Sequence, residues 1–246
     1  MADVVQQSTA DVAGVAGTVD ASQARLVATG LTKQFFRKGR EQARYFDAVA
    51  GVDIALAPGE LVVLMGRSGG GKSTLLNMLA GLLEPTEGSV VCEGTSLYTL
   101  GDEELSRFRN QHMGVIPQGQ TPLHSLTVVQ NVMLPYLMYR ADDELEARAL
   151  ELLERLGIGQ LADAYPSELS GGEMRRMAIA RALVCQPGVV LADEPTSDLD
   201  DENTRTVLAM LRAAADEGAA VLVAAHDREA LAYADRVLRI DAGAFA

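Results

Sequence analysis

Nine consecutive residues, Gly66-Arg67-Ser68-Gly69-Gly70-Gly71-Lys72-Ser73-Thr74, constrain this chain more than any other stretch. They fit the pattern G-x-x-x-x-G-K-[ST], with Gly66, Gly71, Lys72 and Ser73 in the fixed places. An apolar run, Leu61 to Met65, enters the loop, and Leu75, Leu76, Leu79, Leu82 and Leu83 leave it at helical spacing. A glycine-rich turn that merely contains a lysine does not require that setting; a phosphate-binding loop does. The glycines let successive backbone N–H groups face phosphate oxygens, Lys72 reaches the β- and γ-phosphates, and the Ser73 hydroxyl is placed to coordinate Mg²⁺. The helix opening at Lys72 adds its positive N-terminal end. The chain is therefore expected to bind a nucleoside triphosphate.

The rest of the composition narrows the class. A chain of 246 residues is one large α/β domain or two small ones, with enough core to need no staples. Its two cysteines, Cys92 and Cys185, lie far apart and form no C-x-x-C pair, so neither a disulfide framework nor a zinc site is indicated. A net charge of -13 opposes general affinity for nucleic acid or anionic lipid. The basic stretch Lys33 to Arg44 reads as a solvated connection between two strands, and no nucleic-acid partner is expected. No apolar stretch approaches the roughly 18 residues needed to cross a bilayer. No basic residue other than the N-terminus precedes Arg25, so a signal peptide is not expected and the location reads as cytoplasmic.

Residues 1–24 lack periodicity and read as a flexible N-terminal tail. Beyond them, strand-like segments near 25–29, 46–56, 61–65, 89–93, 188–192, 219–225 and 236–240 are separated by turn signals such as Pro58-Gly59 and Glu87-Gly88. Val189 to Ala192 and Ala219 to Ala225 do not alternate, as expected of parallel strands covered on both faces. Three apolar runs end at chemically loaded residues: the phosphate loop after Met65, Asp193-Glu194 after Ala192, and His226-Asp227 after Ala225. In open α/β sheets ligands bind beyond the carboxyl ends of the strands, so these groups are expected at one sheet edge. Residues 100–183 are mostly helical in pattern, for example Leu145, Ala149, Leu152, Leu153 and Leu156, and are expected to form an inserted helical subdomain.

Val189 to Pro195 has the form of a buried strand delivering two carboxylates, which suits a Walker B element. Asp193 would hold Mg²⁺, and Glu194 could polarise the water that attacks the γ-phosphorus. An apolar-Asp-Glu string alone is equally a strand end before an acidic helix cap; the phosphate loop upstream favours the catalytic reading. Leu169-Ser170-Gly171-Gly172-Glu173, followed by a helix carrying Arg175, Arg176 and Arg181, is not required by hydrolysis at one phosphate loop. Here residues 25–246 resemble the ATP-binding-cassette (ABC) ATPases, whose signature is Leu-Ser-Gly-Gly-Gln or a close variant.

That resemblance implies an α/β fold: a P-loop NTPase core with a mainly parallel sheet, an N-terminal antiparallel β part and the helical insertion. It implies ATP and Mg²⁺ as ligands and a head-to-tail pair of cassettes, a homodimer or a pseudo-dimer with a related ATPase. Ser170, Gly171 and Gly172 would grip the γ-phosphate held by the other subunit. Gln118, in Gly-Val-Ile-Pro-Gln, matches the loop glutamine that senses Mg²⁺, and His226 matches the histidine that contacts the γ-phosphate. Ser197 to Asp200 matches the loop that crosses the dimer interface. Phe35 sits where an aromatic residue commonly stacks on adenine, with Phe36, Tyr45 and Phe46 as rivals. Glu173 stands for the commoner glutamine, Pro117 for a frequent aromatic residue, and Asp198 for a commonly small or amide residue; none of the three removes a catalytic group.

Within the family, Pro166-Ser167-Glu168 ahead of the signature, Leu191 to Thr196, and the short C-terminus resemble the lipoprotein-releasing and macrolide-exporting branch. The resemblance thus implies a transport-coupled ATPase, peripheral on the inner face of the cell membrane and driving integral-membrane permease subunits. The apolar run Val128 to Tyr139 is either a docking surface for a permease helix or subdomain core. A non-transport ABC ATPase, such as a cell-division type, is the alternative. A phosphoryl-transferring kinase leaves Ser170 to Gly172 and His226 unexplained.

Overall fold

The split between continuous and interrupted apolar runs becomes a split between two sheets. The computed structural model describes residues 22–38, 43–119, 121–138, 145–226 and 228–246. Most of the expected tail, residues 1–21, lies outside the described residues, as do Tyr139 and Asp227. Along the chain come β1 (Leu26–Lys38), β2 (Ala43–Leu56), β3 (Leu61–Met65), helix α1 (Lys72–Leu79), β4 (Glu87–Cys92), β5 (Thr95–Ser96), α2 (Asp102–His112), β6 (Met113–Ile116), α3 (Val128–Leu137), α4 (Leu145–Arg155), α5 (Gly171–Leu183), β7 (Val189–Asp193), α6 (Asp201–Asp216), β8 (Ala220–Ala225), β9 (Arg236–Asp241) and β10 (Ala244–Phe245).

One sheet is antiparallel, in the order β2-β1-β4-β5, and the other runs β10-β9-β3-β8-β7-β6 with every pairing parallel except that of β10. The parallel strands are apolar throughout because both of their faces are covered. In β3, Leu61 and Val63 face a core shared with α5 and α6, whereas Val62 and Leu64 face α1 and the antiparallel sheet. In β8, Val221, Val223 and Ala225 take the first side, and Ala220, Leu222 and Ala224 the second. Burying each of the larger side chains contributes about 1.5–3 kcal/mol, which fixes the sheet as the rigid middle layer.

The span 100–183 contains a strand that the pattern did not reveal. Met113–Ile116 is β6, paired with β7 from Met113↔Val189 to Ile116↔Ala192 at the edge of the six-stranded sheet. Four residues are too few to show a period, and Gly114 weakens strand propensity. The glycine is required by packing, because a Cβ there would lie 2.5 Å from the Ala182 carbonyl oxygen at the end of α5. Helices α3, α4 and α5 therefore lie, along the chain, between two strands of one sheet, β6 and β7.

The link from β6 to α3 is organised by one buried amide. Asn131 is fully buried; its Nδ2 donates to the carbonyls of Leu123, Leu126 and Thr127, each at 3.0 Å, and its Oδ1 accepts from Leu123 N at 2.8 Å. Thr127 caps α3 by accepting from Gln130 N, and Gln130 Oε1 accepts from Thr127 N in return. The start of α3 is core: Val128, Val129 and Val132 are buried, while Leu137 and Met138 at its end are 53% and 61% exposed. Replacing Asn131 with leucine leaves those backbone groups unpaired in the interior. Asn131→Leu is expected to lose at least about 2 kcal/mol of stability, read as a lower urea midpoint. An unchanged midpoint would show that the 121–127 segment does not depend on the amide.

Candidate nucleotide site

The phosphate loop is seated by glycine where no other residue fits. Gly71, the residue before α1, has φ of +102°, and a Cβ there would lie 2.4 Å from the Ala48 carbonyl oxygen of β2. From the other side, Gly243 N donates to Gly70 O at 3.2 Å while Ala50 N donates to Gly243 O at 2.9 Å. The turn between β9 and β10 thus ties the loop to the antiparallel sheet. Arg67, Ser68 and Gly69 are exposed, Ser73 and Thr74 are half-buried, and Lys72 is buried. The Lys72 ammonium donates to Gly66 O at 2.8 Å and to Arg67 O at 3.3 Å, so it lies across the loop.

The adjacent ends of β7 and β8 bring the next groups to it. Glu194 follows β7 at φ of +49°, a left-handed conformation held by its N–H donating to Ala224 O of β8 at 2.9 Å. Three side chains then converge on its carboxylate. Oε1 lies 3.9 Å from Lys72 Nζ and 3.6 Å from His226 Nδ1, and Oε2 accepts from Gln118 Nε2 at 3.1 Å. The phosphate loop, the end of β7, the loop after β6 and the residue after β8 therefore meet at one point. Asp193 is buried beside them. Burial pushes its carboxyl above the ordinary value and the Glu194 charge adds to this, while the Ser73 hydroxyl, Lys72 and Arg175 oppose. Its Oδ1 has no hydrogen-bond partner among the described residues.

The signature segment opens α5. Ser170 caps the helix, accepting from Glu173 N, and Glu173 Oε2 accepts from Ser170 N at 2.8 Å and from Ser170 Oγ at 2.7 Å. These bonds hold the Glu173 carboxyl below its ordinary value. Ser170 and Gly171 are exposed at the helix N-terminus, the form an anion clamp takes, and Gly172 packs under Leu199. Asp200 caps α6 by accepting from Asn203 N at 2.8 Å.

Sequence reasoning gave no role to the arginines of α5, yet they are its attachment points. Arg175 donates to Pro117 O, Gln118 O and Ser197 Oγ; Arg176 donates to Asn203 Oδ1, whose Nδ2 in turn donates to Asp200; Arg181 donates to Thr121 O. The one available signal was position, since all three follow a Gly-Gly pair on one helix. Phe35 is placed with Phe46, their ring centres 6.0 Å apart, and Lys33 Nζ lies 5.6 Å from the Phe35 ring. Phe36 pairs with Tyr45, and both are exposed. The hairpin of β1 and β2 thus carries all four aromatic residues, two on each side.

Comparison with known proteins identifies the family. Residues 49–197 match the family model described as "ABC transporter". The chain is similar to the lipoprotein-releasing system ATP-binding protein LolD of Xanthomonas campestris pv. campestris (strain 8004), at 41% identity over 210 residues covering 85% of this chain and 87% of that protein. It is also similar to the LolD protein of Pseudomonas syringae pv. tomato, at 43% identity covering 79% and 87%. Among solved structures, the dimeric bacterial ABC transporter cassette MJ0796 superposes with a TM-score of 0.83 at 32% identity, covering 89% of this chain and 96% of that one. The same cassette in a post-hydrolysis state bound to ADP and Pi superposes equally well. The chain belongs to the ABC transporter family, as one of its ATP-binding, ATP-hydrolysing cassettes.

Proposed function

We propose that the chain is the ATPase subunit of a lipoprotein-releasing transporter, held at the cytoplasmic face of a membrane by integral-membrane permease subunits that it drives. The convergence of Lys72, Gln118 and His226 on the Glu194 carboxylate is the observation that carries the hydrolytic reading. The lipoprotein-releasing part rests on relatives of that name at 40–43% identity. These relatives do not favour a non-transport role.

In this reading Gly66 to Thr74 cradle the phosphates and Lys72 turns its ammonium from its own loop carbonyls to the β- and γ-oxygens. Glu194 accepts the proton of the attacking water; Gln118 and His226 fix its two oxygens, so its lone pairs need no reorganisation. The residues present fit Mg²⁺, a hard cation that prefers oxygen: the buried Oδ1 of Asp193, without a partner among the described residues, and the Ser73 hydroxyl would hold it, with Gln118 at the same corner. When bound, the ion would offset the negative charge of the phosphate oxygens.

Two copies would face each other head to tail, so that Ser170, Gly171 and Gly172 of one chain close over the nucleotide on the other, with Asp200 at the shared boundary. A dimeric arrangement is supported by the similarity to the MJ0796 cassette. Phe35, with Phe46 beside it, would stack on the adenine. Loss of the γ-phosphate contacts would open the pair and move the permease through the helical insertion. The exposed end of α3, Leu137 and Met138, is the surface that would meet a permease helix, while Val128, Val129 and Val132 serve as subdomain core.

Glu194→Gln is expected to lower turnover by about 10²- to 10⁴-fold while ATP binding is retained. Near-normal single-turnover hydrolysis in this variant would remove Glu194 from the role. The same variant, tagged, loaded with ATP in its native cells and extracted gently from membranes, is expected to bring down a polytopic permease. Recovery of a soluble partner, or of the cassette alone, would contradict the transport reading. Met138→Asp is expected to keep ATP hydrolysis and to lose the permease in that same pull-down; full retention of the permease would exclude this surface.

A further inference from the structure

Among the described residues, Arg175 is the most enclosed charge that the hydrolytic mechanism leaves unused. It is 4% exposed, and its fork reaches acceptors on two separate loops. Nη1 donates to Pro117 O at 3.0 Å, and Nη2 donates to Gln118 O at 2.9 Å and to Ser197 Oγ at 2.8 Å. Pro117 and Gln118 follow β6, Ser197 follows β7, and Arg175 itself stands on the helix that Ser170 caps. Burial pushes the guanidinium below its ordinary value, and the charges of Asp198, Asp193 and Glu194 oppose that shift, Asp198 first among them. Asp198 is held at φ of +64°, so a fixed turn carries its carboxylate.

Given the proposed roles of Glu194 and Ser170, we propose that Arg175 is a positioning residue for ATP hydrolysis. Its planar fork sets the Gln118 loop against the Ser197 loop, and Asp198 supplies the balancing charge. Gln118 Nε2 meets Glu194 Oε2 at 3.1 Å with its own backbone carbonyl held by Arg175. Ser170, five residues earlier, is presented by the same helix. A displacement of the signature helix is therefore carried through one guanidinium to the side chain that orients Glu194. Lysine keeps the charge and cannot reproduce the fork, since its ammonium is a point donor on a flexible stem. Asp198 also has a reason to be acidic where small or amide residues are common: its charge opposes the cost of burying the Arg175 guanidinium.

The test uses the full chain, with steady-state ATP hydrolysis, equilibrium binding of a fluorescent ATP analogue and thermal unfolding measured for each variant. Arg175→Gln is expected to lower kcat about 10- to 100-fold with KM for ATP within about threefold, the signature of misplaced rather than missing contacts. Arg175→Lys is expected to fall nearly as far, and Ser197→Ala, which removes one acceptor, to fall less. Adding Asp198→Asn to Arg175→Gln is expected to recover kcat by at least about threefold. Wild-type kcat in Arg175→Lys would overturn the fork. Parallel losses in analogue affinity and unfolding temperature, with kcat unchanged, would make Arg175 merely structural. Failure of Asp198→Asn to recover activity would overturn the charge pairing. Lys72→Ala serves as the control for the underlying reading: if it hydrolyses ATP normally, the nucleotide site itself is misassigned, whatever Arg175 does.

Discussion

A single backbone hydrogen bond, Glu194 N–H to the Ala224 carbonyl at 2.9 Å, sets the geometry on which the site depends. It is the last rung of the parallel ladder joining β7 to β8, one step beyond Asp193↔Ala224. It holds Glu194 in the left-handed region just beyond the strand, where two adjacent carboxylates face different partners. Asp193 turns to Ser73 and the interior, and Glu194 turns to Lys72, Gln118 and His226. A non-glycine residue at positive φ costs of order 1–3 kcal/mol and persists only where its surroundings over-determine it. Here the surroundings are β8 and its neighbour β3, whose residues Leu61 to Leu64 are fully buried.

Two opposed electrostatic demands meet at that edge. Asp193 and Glu194 are consecutive like charges at the end of a buried strand, and burial raises the carboxyl of Asp193 toward its neutral form. Lys72 and Arg175 are the buried cations set against them, at 5% and 4% exposure. Placing two of the chain's 21 Lys and Arg side chains inside the molecule is expensive unless they are paired. Each is engaged by carbonyl oxygens as well as by carboxylate charge, so neither relies on one partner. The local field can accept a polyphosphate and a divalent cation together, since the one brings anions toward Lys72 and the other a cation toward Asp193.

The sequence exposed the parts of this design that obey a local rule. The phosphate loop has a fixed spacing, the buried strands read as unbroken apolar runs, and Ser170 with Glu173 fits a capping box three residues apart. Hence Lys72, Asp193, Glu194 and His226 could be placed on one edge from strand ends alone. What stayed hidden depends on long-range contacts. Strand β6 is four residues long and is defined by pairing with β7, 76 positions away at Met113↔Val189. Arg175 and Asn131 look like ordinary helix residues until their acceptors, in loops before and after, are known. Among the aromatic residues of the first hairpin, alternation along two paired strands separates Phe35 and Phe46 from Phe36 and Tyr45, which no inspection of composition could do.

The signature serine shows how the same local rule sets the energetics of closure. In the single chain its Oγ–H is already committed to the Glu173 carboxylate at 2.7 Å, a charge-assisted bond that, together with the one from Ser170 N–H, holds that carboxyl below its ordinary value. For Ser170 to grip a γ-phosphate across the proposed dimer, that proton must move from one anion to another. Bonds of this class are worth about 1.5–3 kcal/mol each, so exchanging them is nearly neutral. A neutral acceptor in the place of the γ-phosphate, such as water, makes the exchange unfavourable. In that reading Ser170 would stay on its own helix unless an anion is presented at the right position. Closure would then follow the presence of the γ-phosphate rather than of the nucleotide as a whole, through a hydrogen-bond exchange that Glu173 makes selective for anions.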